Sequence, residues 1–184
     1  MCRRYWHPHI YRTWSHSAPH FPIYSAIPYS PIAGKVILAA KENGLSGADT
    51  LITGALMHAL RYCIKDQGQG FLVPIPSRKA VARLRGRQFI THLSHALSEQ
   101  SGLATYENLR HTRVIRDQSS LDAKNRFINI DGALTSLKYL NGKAFVIDDL
   151  VTTGATISEA ARALREKGIE VAAAVTACVA EPLV

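Results

Sequence analysis

Two adjacent carboxylates, Asp148 and Asp149, follow directly on the apolar run Ala144 to Ile147 and precede the segment Thr152-Thr153-Gly154-Ala155-Thr156. The run reads as a buried strand, and the pattern beginning at Thr156 reads as a helix. The acids and hydroxyls therefore fall at the switch between the two. Carboxylates accept hydrogen bonds from sugar hydroxyls and attract hard cations. Thr hydroxyls and unpaired backbone N–H groups at a helix N-terminus receive phosphate, aided by the helix dipole. Together these groups suit a phosphorylated, polyhydroxylated molecule. An ordinary strand end with two solvated acids is the alternative, and it leaves the Thr/Gly-rich helix opening without a reason.

Two groups of cations precede this stretch in the chain. Arg78, Lys79, Arg83, Arg85 and Arg87 crowd the segment after Val73-Pro74-Ile75-Pro76. They read equally as a solvated charged face and as a cluster placed for a diphosphate at a strand end. Arg110 to Gly132 is polar, carries Arg110, Arg113, Arg116, Lys124 and Arg126, and shows no sustained period. It reads as a long mobile loop with a helical turn near Asp122, and loops of this length in a compact domain are usually lids or binding loops.

The elements that must position these groups follow from hydrophobic spacing. A helix is predicted from Ser30 to Ala40, and a second from Gly47 to Cys63, followed by a turn-rich linker over Lys65 to Gly70. Phe71-Leu72-Val73 reads as a short buried strand. A long helix is predicted from Arg78 to about Gln100, with Gly86 weakening it and offering a loop instead. Thr105 to Leu109 is a weak strand. A helix from Thr156 to Lys167 and an apolar strand from Val171 to Val179 complete the chain. Alternation of strands and helices, with strands apolar nearly throughout, implies an α/β fold around a mainly parallel sheet flanked by helices.

The chain has 184 residues, 47% of them hydrophobic, enough for one domain with a full core. Residues 1–28 contain Pro8, Pro19, Pro22 and Pro28, interspersed with His7, His9, His16 and His20. They read as a basic extended arm, mobile or docked, ahead of a domain spanning 29–184. Cys2 with these histidines matches no closed zinc ligand set. Cys2, Cys63 and Cys178 are scattered and odd in number, which fits a reducing compartment. The opening 41 residues lack any acid, as organelle transit peptides do, but without an apolar leader or a membrane-spanning run a cytoplasmic location is expected. A formal charge of +8 implies anionic partners. The basic runs carry few aromatics for base stacking, so nucleic-acid binding is expected to be weak and electrostatic.

The stretch Phe145 to Thr156 resembles the phosphoribosyl-diphosphate (PRPP) motif of type I phosphoribosyltransferases. The resemblance narrows further along the chain. Tyr29 to Lys41 is similar to a Y-x(5 or so)-I-x-x-x-K opening, and Val73-Pro74-Ile75-Pro76 to a V-P-V-P strand end. Gln118, Leu121, Arg126 and Asn129 with Gly132-Ala133 resemble the lid sequence of the ComF/GntX family. That resemblance implies the type I phosphoribosyltransferase fold with a small hood, a PRPP site, Mg²⁺ and an unidentified acceptor, with links in several members to DNA uptake, competence and recombination proteins. It implies Asp148 and Asp149 on the ribose hydroxyls or Mg²⁺, and Thr152, Thr153, Gly154, Ala155 and Thr156 on the 5′-phosphate. Arg78 and Lys79 would meet the diphosphate, while Arg113, Arg116 or Arg126 would close over it as catalytic cations. Two departures stand out. The family's four-cysteine zinc module is reduced to Cys2, and its R-G-F-N-Q is Arg85-Gly86-Arg87-Gln88-Phe89 here. Hypoxanthine-type relatives place an acid where this chain has Thr152, so a sensor or adaptor that binds PRPP without transferring it is the alternative function.

Overall fold

A computed structural model describes residues 6–16, 18–114 and 123–180. Its centre is a five-stranded sheet built from β1 (Tyr11–Trp14), β2 (Pro22–Pro28), β3 (Phe71–Pro74), β6 (Lys143–Val151) and β7 (Glu170–Val179). Their order is β1-β2-β7-β6-β3, with β1 antiparallel and the other pairings parallel. A separate antiparallel pair joins β4 (Leu109–His111) to β5 (Leu134–Ser136).

Helices cover both faces of the large sheet, which is why its central strands are apolar on both sides. In β6, Phe145 and Ile147 join the core formed with α1 (Pro31–Asn43), α2 (Ser46–Gln67) and α4 (Phe89–Ser101). Ala144 and Val146 turn the other way, toward Ile157, Ala160, Ala161 and Leu164 of α6 (Ala155–Arg165). The period-2 alternation of a strand thus serves two cores at once. Helix α1 begins where Ser30 accepts a hydrogen bond from the Ala33 N–H at 3.1 Å and Pro31 occupies the first turn.

The helix predicted from Arg78 to Gln100 is two helices, α3 (Lys79–Arg85) and α4. Gly86 separates them at φ 69°, a left-handed conformation that ends α3 and that L side chains disfavour. Helix α2 runs on through Gln67, consuming part of the expected linker.

Part of the segment read as an arm belongs to the large sheet. Pro22–Pro28 is a buried strand pairing in parallel with β7, and Ile23, Tyr24, Ala26 and Ile27 are core residues. The four prolines suggested an extended tail because none permits a helix. Pro22 and Pro28 instead bound a strand, where a missing N–H costs little. The polar segment predicted as a loop also contains regular structure: β4, and α5 (Ala123–Ile130), whose Ile130 packs with Ala133 and Ala155. Asp122, where a helical turn was expected, lies outside the described residues, as do Cys2, Arg116, Gln118 and Leu121. No described helix is long and apolar enough to cross a membrane.

Candidate functional site

The sheet order creates a switch point between β3 and β6. After β3 the chain moves outward, through α3 and α4, to Thr105, which bridges Leu72 in parallel on the far side. After β6 it moves the opposite way, through α6, to β7. Divergent connections leave a crevice beyond the carboxyl ends of such strands, where open α/β sheets bind small molecules. Pro76 to Arg78 line one wall of that crevice, and Asp148 and Asp149 the other. The cavity measures about 780 Å³.

The acid pair is held by backbone geometry. Asp148 lies opposite Thr176 in the β6–β7 ladder, and its Oδ1 accepts from the Asp149 N–H at 2.9 Å. Asp149 is 4% exposed, and its Oδ2 lies 2.7 Å from Lys41 Nζ, at the end of α1. Burial raises the Asp148 carboxyl well above its ordinary value, and the neighbouring Asp149 raises it further; Lys41 opposes both. For Lys41, burial disfavours the ammonium, but the attraction of Asp149 and Asp148 outweighs it and the value rises.

Beyond the acids, Thr152 to Thr156 wraps a small hollow of about 20 Å³ at the N-terminus of α6. Gly154 stands at φ 73°, and Thr153 Oγ1 accepts from the Ala155 N–H at 3.3 Å. A Cβ on Gly154 would lie 3.4 Å from His16 Cδ2, and the His16 ring meets Phe127 of α5 edge-on at 6.1 Å. The segment read as an arm thus lies against both the loop and the helix beside it.

The arginines separate. Arg126 reaches the loop, its Nη1 donating to Thr152 Oγ1 at 3.1 Å, and it lines the large cavity with Arg78. Arg113 turns elsewhere: its Nη2 donates to the carbonyls of Asn129 and Asp131 at 3.0 and 2.7 Å, closing the end of α5. Its expected lid role finds no support in that position. Arg116 lies outside the described residues, and Lys79 opens α3.

Two members of the basic run after β3, Arg85 and Arg87, are held in structural pairs. Arg85 forms a two-pronged pair with Glu42. Arg87 donates to both Asp49 carboxylate oxygens, at 2.6 and 2.9 Å, and to the Ala40 carbonyl at 2.6 Å. It ties the α3–α4 turn to the end of α1. Gln88 Oε1 accepts from the Ser77 N–H at 2.9 Å, fixing the backbone between Pro76 and Arg78. The Arg85-Gly86-Arg87-Gln88-Phe89 segment therefore braces the cavity wall.

No protein-family model and no curated protein matches this chain. The site stands on its own geometry.

Two lining residues escaped the residue-level reading. Lys41 entered only as part of a resemblance, because its partner Asp149 is distant in sequence. His111 carried no signal; its Nε2 contacts the Pro76 carbonyl at 3.0 Å, and burial, reinforced by Arg78 but opposed by that hydrogen bond, lowers its pKa. Among the described residues no group of three or more His, Cys, Asp and Glu side chains is placed to hold a metal. Two carboxylates without a full cage are compatible with Mg²⁺, which commonly binds one or two acids together with a bound phosphate and water.

Proposed function

We propose that this chain is a PRPP-binding, phosphoribosyltransferase-like protein of the ComF type, with the type I phosphoribosyltransferase fold and β4–β5 as its hood. One observation carries the reading. The acid pair near the end of β6 leads directly into the Thr152–Thr156 loop, which wraps a small hollow at the N-terminus of α6, in the crevice that Arg78 and Arg126 also line. This order of groups suits a ribose 5-phosphate, with hydroxyls on the carboxylates and phosphate on the loop.

The residues divide the work. Asp148 and Asp149 accept hydrogen bonds from the 2′- and 3′-hydroxyls and orient the ring. Thr152 to Thr156 supply hydroxyls and N–H groups to the 5′-phosphate, and Arg126, already on Thr152, adds a cation there. This moves Arg126 from the diphosphate, where the resemblance puts it, to the phosphate loop. Arg78 faces the diphosphate. Mg²⁺, held by Asp148 or Asp149 together with PRPP oxygens, would neutralise charge on the leaving group.

In the transfer, the C1′–O bond to diphosphate breaks, its electron pair leaving with the diphosphate, and an acceptor lone pair bonds to C1′. Positive charge develops at C1′, so water must be excluded. Helix α5, joined to the loop through Arg126, is the element placed to do this.

The sensor reading is favoured by one specific feature: Thr152 offers no carboxylate to take a proton from an acceptor, and its hydroxyl is engaged by Arg126. Such a protein would signal PRPP to DNA-uptake or recombination partners. Diphosphate release separates the two. A transferase releases diphosphate from PRPP when supplied with its acceptor among a panel of nucleobases and amines. A sensor releases none above slow hydrolysis.

A further inference from the structure

Lys41 is the only cation the structure describes in ion-pair contact with the acid pair, and its surroundings fix it there. The neighbouring Glu42 is taken by Arg85. Arg87 clamps the Ala40 carbonyl, one residue before Lys41, and is itself held by Asp49. The Lys41 ammonium lies 5.9 Å from the ring centre of the buried Phe89. Asp149 is almost without solvent, and the Lys41 ammonium lies 2.7 Å from its Oδ2.

We infer that Lys41 is the resident cation of the acid pair, competing with divalent metal for Asp149 and allowing the ribose side of the site to bind without metal. A divalent ion reaching Asp149 Oδ2 would meet the ammonium at a distance where two positive charges repel strongly in a buried setting. Metal is thereby kept off Asp149 and left to Asp148 together with the diphosphate oxygens. This inference rests on the PRPP reading and goes beyond it, since it assigns the ribose side a built-in charge.

Titration of the ligand-free full-length chain with Mn²⁺ alone, by calorimetry, tests the competition. Lys41→Met is expected to bind Mn²⁺ about tenfold more tightly than wild type, because a like charge has been removed. Lys41→Arg, which keeps the charge, is expected to behave as wild type. Equal Mn²⁺ affinity in wild type and Lys41→Met overturns the inference.

A second arm needs no variant. Ribose 5-phosphate carries no diphosphate, so its binding reports the ribose side alone. Wild type is expected to bind it equally in EDTA and in Mg²⁺, and a requirement for Mg²⁺ overturns the inference. PRPP with Mg²⁺ is the control. If wild type binds PRPP and these arms fail, only the role of Lys41 falls. If wild type binds neither sugar phosphate, the PRPP reading falls and the inference with it.

Discussion

Arg126 Nη1 donates to Thr152 Oγ1 at 3.1 Å, linking α5 to the loop that opens α6. The contact spans 26 residues of sequence and joins the arginine-bearing segment to the proposed phosphate site. It sets α5 directly against the proposed phosphate loop.

Arg126→Ala is therefore expected to weaken ribose 5-phosphate binding about 10- to 100-fold, the loss of one charge-assisted contact to a phosphate. The far-ultraviolet circular dichroism is expected to be unchanged. Calorimetry on the variant checks the affinity, and an affinity equal to wild type would assign Arg126 to the packing of α5 alone.

The two acids should respond oppositely to neutralisation. Asp149→Asn strips Lys41 of its carboxylate partner and is expected to destabilise the fold by about 2–4 kcal/mol, the lower end reflecting the partial exposure of Lys41. Because the pair raises the Lys41 pKa, its contribution is complete below the ordinary lysine value of 10.5 and disappears as pH rises through the folded-state value. The gap between Asp149→Asn and wild type in urea titrations is thus expected to close at high pH.

For Asp148 the sign reverses. Its raised pKa means that the folded state binds its proton more tightly than the unfolded chain, so ionisation costs stability as pH rises from the ordinary 3.8 through the folded value. Asp148→Asn is expected to be as stable as wild type at neutral pH, or more stable by up to about 2 kcal/mol, while losing ribose binding. Urea midpoints from pH 4 to 8 check this, and a variant less stable than wild type throughout would contradict it.

These electrostatic contacts mark the limit of what the sequence revealed. The strand-acid-loop-helix order around Asp148 was legible because all its parts are contiguous and each follows a local rule. Gly86 was legible as a break for the same reason. Strand β2 was hidden because Pro22 and Pro28 resemble tail punctuation until a parallel neighbour, β7, is known. Strand β5 has three residues, too few to show a period. The Lys41–Asp149 pair and the turn of Arg113 toward α5 depend on packing, which hydrophobic spacing does not encode.

Gly154→Ala tests the loop itself. At φ 73° an L side chain is strained, and the added Cβ would touch His16 at van der Waals distance. A destabilisation of about 1–2 kcal/mol is expected from the backbone conformation alone, with a larger proportional loss of ribose 5-phosphate binding than of stability. Thermal unfolding and calorimetry on the same preparation separate the two effects.

Cys63 and Cys178 are buried, and burial, with a lesser push from Asp66 and Asp149 respectively, raises both thiols to about 12. Neither is expected to react with iodoacetamide at pH 8 in the native state, and both are expected to react in denaturant. Peptide mass mapping distinguishes them, and native labelling of Cys178 would show that β7 opens readily.

The central claim is that the Asp148-to-Thr156 stretch is a PRPP site. Calorimetric titration of the wild-type chain with PRPP and Mg²⁺ tests it most directly. A single saturable site per chain, displaced by ribose 5-phosphate and lost in Asp148→Asn, is the expected result; absence of PRPP binding by the folded wild-type protein would contradict it.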